Sequence, residues 1–405
     1  MKFLYNAIFI VYIWVFMILC KILRIAIGGI KLFLSFRRNK KVETVLIFAS
    51  FFPGNAGYYY RSQKWATELN NRGIKTDVFH VFDSKKHTEL TAADSLVSFH
   101  ILNIFYRFIQ VLKSARYDRV IVRRSLLQYN DYGNLFLDKL LLCLHPRAIL
   151  DFDDDITNNF KGKSEKSLFG KLLVEDRFIF YKSLKLYKRF LPGSEYLKIL
   201  LKNTNKKVNE NDILVLPTCV DYKDDPSKNY PSETSDFTLG WIGSNGNQEQ
   251  LDKLVPVLNE LIQKVSFELL VISGKPYQPK NALFPIKFAK WSLESEKQDL
   301  YRIDIGIMPL ENDKMSRAKC GFKLIQYMGL GIVSVASAVT TNNRIIDNNE
   351  NGFLVNNPED WHDKLLEVIG QRSRFSEISN RARIKIEKHY SFEAHLENLE
   401  AFIKA

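Results

Sequence analysis

Apolar positions along the chain fall into three regimes. Residues Phe3 to Cys20 are apolar except for Asn6, about the shortest run that spans a hydrocarbon core. In the following stretch, "KILRIAIGGIKLFLSFRRNKK", Lys21, Arg24, Gly28 and Lys31 recur at helical spacing opposite a broad apolar face. That pattern predicts a helix lying in a membrane interface, and the Arg37, Arg38, Lys40, Lys41 cluster behind it suits anionic headgroups. From Val42 onward, short β-branched runs alternate with amphipathic stretches, the pattern of parallel sheets joined by crossover helices.

In that last regime strands are expected at 44–50, 76–81, 119–124, 148–152 and 212–217, with a helix over 58–73 that Gly73 stops. Residues 221–236 are polar and broken by Pro226 and Pro231, which reads as an interdomain linker. The pattern then restarts, with strands at 237–244, 267–274, 286–291, 304–310 and 352–355 and helices near 247–264, 358–370 and 373–389. Between them "KCGFKLIQYMGLGIVSVAS" (319–337) reads as turn, helix, tight turn and buried strand. The expected organisation is a membrane-associated segment (1–41), an N-terminal α/β domain (42–225), a C-terminal α/β domain (226–390) and a last helix (391–405) packing back on the N-terminal domain. Doubly wound domains of this kind bind ligands at the carboxyl ends of their strands.

Composition narrows the partners. A net charge of +13 calls for a phosphate-bearing ligand or an anionic membrane surface. Nucleic acid is disfavoured, because neither zinc-finger spacing nor an aromatic RNA-binding signature occurs. Cys20, Cys143, Cys219 and Cys320 lie far apart and the seven histidines do not cluster, so no metal site is expected and the thiols read as reduced. A cleavable signal peptide fits poorly: only Lys2 is basic ahead of the apolar run and no small-x-small site follows. The basic residues behind the run place the body on the cytoplasmic side of the membrane.

Two motifs carry the candidate chemistry of the second half. Gly243, Ser244, Asn245 and Gly246 follow a strand and precede a helix, where small residues let backbone approach an anion at the helix start. The same residues also suit an ordinary strand-to-helix turn. Lys323 falls in the first turn of its helix, where the macrodipole disfavours a cation unless an anion is near, which suggests a phosphate there, the alternative being a solvated lysine. Gln326 is on the same helical face and can bond ribose hydroxyls as donor or acceptor. In the first half, "DFDDD" (151–155) sets Asp153, Asp154 and Asp155 at a strand end. Adjacent carboxylates repel, so one is expected to have a raised pKa and to serve in proton transfer, the alternative being helix capping. "FFPGNAGYYYR" (51–61) supplies a glycine turn and then Arg61 inside a helix.

These residues, taken in order, resemble the GT-B glycosyltransferases of the large retaining family four, also called group 1. The likeness is carried by "GWIGS" (240–244), "ISG" (272–274), Trp291, "DIGIMPL" (304–310), the 319–337 motif and "NNENGFLV" (348–355). "FFPGNAGYYYR", "DFDDD", "PGSEYL" (192–197) and "LPTCVD" (216–221) are similar to a subgroup of those enzymes. The resemblance implies two Rossmann-like domains facing across a cleft and a nucleoside-diphosphate sugar as donor, with no metal required. Donor contacts would come from Gly243, Ser244, Asn245, Ser273, Gly274, Trp291, Pro309, Arg317, Lys319, Lys323 and Gln326. Gly54, Asn55, Gly57 and Arg61 would edge the acceptor site, and Asp153, Asp154, Asp155 and Lys323 are the candidate catalytic groups. The family's pair of glutamates falls at Ala318 and Gln326, and its Arg and Lys after the first C-domain strand have no counterpart behind Ser244. The short D-x-D pattern of Asp151 and Asp153 also occurs in metal-dependent GT-A enzymes, but its flanking segments do not resemble theirs.

A basic stretch over 161–189 reads as a solvated helix or as a face for anionic lipid. The function expected from all this is transfer of a sugar to a lipid-linked or growing surface glycan. A nucleotide-sugar epimerase and a non-catalytic nucleotide-binding partner are the competing expectations.

Overall fold

The computed structural model describes residues 2–33, 42–92, 97–127, 135–155, 179–230 and 237–405. The chain divides into two compact units, one of residues 1–216 with 396–405, the other of residues 217–395.

The first unit opens with one continuous helix, α1 (Lys2–Phe33). The two segments read from the sequence, an apolar run and an interfacial helix after it, are therefore a single element through residue 33. Its core is a five-stranded parallel sheet of β1 (Thr44–Phe48), β2 (Lys75–Phe79), β3 (Arg119–Arg123), β4 (Ile149–Phe152) and β5 (Arg189–Pro192), in the order β2-β1-β3-β4-β5. Strands β1, β3, β4 and β5 are buried on both faces, which is why they read as unbroken apolar runs. Helix α2 (Ala56–Tyr58) passes through a π turn (Tyr59–Gln63) into α3 (Lys64–Asn71). Next come α4 (Ser84–Ala92), α5 (Val97–Lys113), α6 (Phe136–Leu144), α7 (Ile179–Leu186) and α8 (Glu195–Thr204).

The expected strand at 212–217 is not one. It is an extended segment bridged at Ile213 to Phe190, with Leu214 and Leu216 donating to the Phe190 and Pro192 carbonyls, and Pro217 ends the pairing. Strand β5, only four residues long and closed by a proline, takes the place beside it. Residues 161–178 of the basic stretch and 231–236 of the expected linker lie outside the described residues.

The second unit is a six-stranded parallel sheet of β6 (Phe237–Ile242), β7 (Phe267–Ser273), β8 (Ile286–Lys290), β9 (Ile305–Met308), β10 (Val333–Ser337) and β11 (Phe353–Val355), ordered β11-β10-β9-β6-β7-β8. The order reverses between β6 and β9, and that reversal is the crevice where doubly wound sheets take ligands. Covering helices include α9 (Glu249–Asp252), α10 (Val255–Leu261), α11 (Glu296–Tyr301), α12 (Lys314–Arg317), α13 (Phe322–Gly329), α14 (Asn342–Ile345), α15 (Trp361–Gly370) and α16 (Phe375–Tyr390). Trp241, Leu258, Val271, Phe353 and Phe375 share its apolar core. Helix α17 (Phe392–Lys404) closes the chain, and its residues from Leu396 group with the first unit. There Arg119 donates to the Ile403 carbonyl (3.0 Å) and the Arg189 guanidinium lies 4.1 Å from the Phe402 ring centre.

Candidate active site

In the second unit the site is built where α13 docks on the reversal point. Tyr327, on the inner face of α13, is fully buried and its hydroxyl accepts from the Ile242 amide at the end of β6 (2.9 Å). Its ring fits because Gly306 of β9 has no side chain: a Cβ there would lie 2.5 Å from the Tyr327 ring. Burial pushes the phenol pKa upward, so Tyr327 is a neutral anchor. The helix begins behind Gly321, whose left-handed backbone (φ +70°) suits glycine and whose Cβ would strike Ile345 at 2.3 Å. No side chain caps this helix start.

The anchored helix presents Lys323 in its first turn. Its ammonium lies 4.8 Å from the centre of the Trp241 ring, a cation–π contact that offsets part of the dipole's disfavour for a cation there. Gly243 sits beside them: a Cβ on it would lie 2.6 Å from the Trp241 ring and 3.1 Å from Lys323 Cε. The three residues therefore interlock, and glycine is required for steric reasons and not only for close approach of a ligand. Lys319 donates to Asn247 Oδ1 (3.1 Å), and Asn247 Nδ2 donates to Ser244 Oγ (2.8 Å), tying the turn ahead of α13 to the loop after β6.

One strand over, Gln248 Nε2 donates to Ser273 Oγ (2.9 Å) and to the Lys275 carbonyl (2.8 Å). Asn245 lies against Gly274, where a Cβ would be 3.1 Å from Asn245 Oδ1. The Trp291 amide donates to the Ser273 carbonyl, and its indole Nε1 donates to the buried Glu296 carboxylate (2.6 Å). Gly243, Ser244, Asn245, Ser273, Gly274, Trp291, Lys319 and Lys323 thus share one end of the sheet. Pro309 is buried directly after β9, whereas Arg317 is exposed and bonds Asn312 (2.8 Å).

Gln326, one turn beyond Lys323, is 3% exposed, and its Nε2 finds no hydrogen-bond partner among the described residues. An unmet buried donor of this kind costs about 1–3 kcal/mol. Ala318, where the resembled family would carry its first glutamate, is buried at 1% exposure. The residues that sequence reasoning missed are Trp241, Asn247, Gln248, Gly306 and Tyr327. Trp241 and Asn247 lay inside the quoted "GWIGSNGN" motif, and the pairing of a strand glycine with a helix tyrosine leaves no local pattern.

In the first unit the acidic cluster is more fully paired than its sequence implies. Arg61 is buried, bonding both oxygens of Asp151 and the Leu216 carbonyl (2.6 Å). Arg123 ion-pairs with Asp151 (3.3 Å) and Asp153. Arg124, in a left-handed conformation (φ +59°), donates to Asp153 (2.7 Å) and Asp154 (2.8 Å). Asp155 is buried at 4% exposure. The expectation of a raised carboxyl is corrected at Asp153. Burial alone would raise its pKa, but Arg123, Arg124 and Arg61 together hold it well below the usual carboxylate range. Around the glycine turn, Asn55 accepts from the Gly57 amide (2.8 Å) and caps α2, while Gly54 (φ +90°) is exposed. Arg61 does not face solvent beside them; it is spent on the interior.

With this geometry in hand, comparisons with known proteins align the second unit with a family. Residues 236–371 match the family described as "Glycosyl transferases group 1". No curated protein sequence matches the chain. Among solved structures, the sucrose-phosphate synthase of Thermosynechococcus elongatus superposes with a TM-score of 0.63 at 13% identity, over 89% of this chain and 98% of that one. HepE of Anabaena, solved with UDP-glucose, gives 0.57 at 11% identity over 88% and 98%. TarM gives 0.52 at 16% identity over 75% of this chain, which spans 58% of TarM's length. The fold is that of these GT-B neighbours, and the match to the group 1 glycosyltransferase family is confined to residues 236–371.

Proposed function

We propose that the chain is a membrane-associated glycosyltransferase of the retaining, hexosyl-transferring kind, its body on the cytoplasmic side. It takes a nucleoside-diphosphate sugar as donor and a lipid-linked or surface-polysaccharide glycan as acceptor. The observation that carries this reading is the unpartnered Gln326 amide, buried one turn behind a lysine held against the face of Trp241. Gln326 would donate to the ribose, Lys323 would meet the diphosphate, and the loop of Gly243, Ser244 and Asn245 would lie along it. The UDP-glucose bound in the HepE neighbour fits the same donor class.

In transfer, the bond between the anomeric carbon and the β-phosphate oxygen breaks, and the acceptor hydroxyl oxygen bonds that carbon. Lys323 would stabilise the negative charge gathering on the departing diphosphate, an electrostatic contribution worth roughly two to three orders of magnitude in rate. The acceptor's proton leaves to the diphosphate or to solvent. Asp153 is a poor base for it, because its arginine partners favour the ionised form.

A panel of UDP-, GDP-, ADP- and dTDP-sugars, read by thermal stabilisation and by transfer to a membrane extract, tests the reading. NMR of the product's anomeric proton tests retention. A folded chain that binds no donor would sink it. One observation favours a second reading: buried Ala318 leaves no carboxylate at the position of the family's first glutamate. A non-catalytic nucleotide-binding partner predicts binding in the same panel with no turnover, and an epimerase predicts an altered sugar without acceptor.

A further inference from the structure

Helix α1 has two opposite apolar faces. Its inner face packs on the first unit: Phe9 stacks on His100 of α5, Tyr12 donates to the Ile101 carbonyl (3.0 Å) and Phe16 meets Phe108 edge-on. Ile13 and Cys20 are buried on the same side. The outer face carries Ile8, Val11, Trp14, Ile18, Ile22 and Ile25, each at least half exposed. At helical spacing these fall opposite the inner set. Soluble proteins do not leave such a stripe to water.

The stripe continues onto α5. Phe105 and Leu112, exposed at 45% and 36%, share the helical stripe of Ile101 and Phe108, the residues that meet α1. They therefore flank the α1 contact. We propose that α1 lies in the plane of an anionic bilayer and, with the flank of α5, embeds as one surface without crossing it.

The inner contacts decide the orientation. They run from Phe9 to Cys20, about 17 Å of helix axis. Helix α5 belongs rigidly to the folded unit, since Arg107 donates to the Leu126 and Ala49 carbonyls from within it. A crossing α1 would carry α5, with Arg107, Gln110 and Lys113, to the depth of the hydrocarbon, where charged and polar groups are costly. An in-plane α1 buries only the outer stripe. The occupant is lipid and not a second copy because a chain of net charge +13 repels its like and is attracted to anionic headgroups. Lys21 is exposed on α1, placed to reach such headgroups.

The inference rests on the membrane association proposed above and is independent of the donor chemistry. Full-length chain carrying one tag at each terminus is expressed in cells, and protease accessibility is compared before and after the inner membrane is opened. Both tags are expected on the same side, and tags on opposite sides would overturn the in-plane geometry while leaving membrane association intact. The purified chain is also sedimented with vesicles of equal parts phosphatidylcholine and phosphatidylglycerol. Ile18→Lys with Ile22→Lys is expected to lower vesicle binding by about tenfold or more, and Phe105→Glu severalfold, each with unchanged circular dichroism. Wild-type binding by Phe105→Glu would refute the shared surface. A wild-type chain that stays off vesicles as a soluble dimer would refute lipid as the occupant and membrane association with it.

Discussion

Replacing Gln326 with methionine separates a ligand-facing amide from a structural one. Methionine keeps the length and nearly the volume of glutamine, so packing against neighbours is preserved. What disappears is a buried Nε2 that has no partner among the described residues. Its desolvation is set at about 1–3 kcal/mol, so the ligand-free variant should be more stable than wild type by about 1 kcal/mol once imperfect packing is allowed for. With nucleotide the sign reverses. Loss of one neutral hydrogen bond to the ribose costs about 0.5–1.5 kcal/mol, a weakening of roughly 2- to 12-fold in Kd. Urea unfolding without ligand measures the first effect, and calorimetric titration with the nucleoside diphosphate of the active donor measures the second. Gln326→Glu should keep most of the affinity, because a carboxylate accepts from the ribose diol, while losing stability through a buried charge. A methionine variant that is less stable without ligand and binds nucleotide like wild type would refute the reasoning, since the amide would then be doing structural service.

Lys323→Met should lower kcat/KM by about a hundredfold with little change in the unfolding midpoint, measured by initial rates across donor concentrations. Gly306→Ala should drive the Tyr327 ring off β9 and cost about 1–3 kcal/mol in urea unfolding, weakening donor binding in step. Asp153→Asn should destabilise the first unit by about 1–3 kcal/mol, because Arg123 would keep only Asp151, and Arg124 only Asp154, as its counter-charge. The same pairing is present above the ordinary carboxylate pKa and is lost only as pH falls through the depressed native value, so it shows as acid unfolding below about pH 4. Asp138 runs the other way: burial, opposed by the Tyr187 hydroxyl that donates to it (2.7 Å), raises its pKa from 3.8 to about 6. Its contribution is present below 3.8 and lost as pH rises through about 6, roughly 3 kcal/mol in all, and Asp138→Asn should flatten stability between pH 4 and 7 in denaturant titrations.

The second unit was the more legible half because its strands are punctuated by glycine and serine. "FELLVIS" fills β7 from end to end, and Phe322 is the first residue of α13 as its spacing implied. The GT-B fold expected from its motifs is the fold found. In the first unit helices α4 to α8 were harder to place. Helix α5 carries Asn103 and Arg107 on its buried side, and both break the apolar period that would have marked it. The 212–217 run looked like a strand by composition, but pairing is settled by which backbone groups meet, and there only one bridge forms.

The acidic cluster shows most sharply where local reading stops. Read along the chain, Asp151, Asp153, Asp154 and Asp155 have only one another as neighbours, and Coulomb repulsion then raises a pKa. In the fold, β3 runs beside β4 with Arg123 in register with Asp151, and α2 and its π turn bring Arg61 across to the same carboxylate. Three guanidinium groups therefore meet three carboxylates, Asp151, Asp153 and Asp154, and the sign of the shift at Asp153 reverses. That reversal changes the chemistry available: an ionised, arginine-held carboxylate orients and balances charge but does not take up a proton near neutrality. On the proposed reading, a site that holds a diphosphate depends on Lys323 and on the Trp241–Gly243 interlock that aims it. For the same reason Gly243→Ala should impair transfer through Lys323 even though glycine 243 bears no reactive atom.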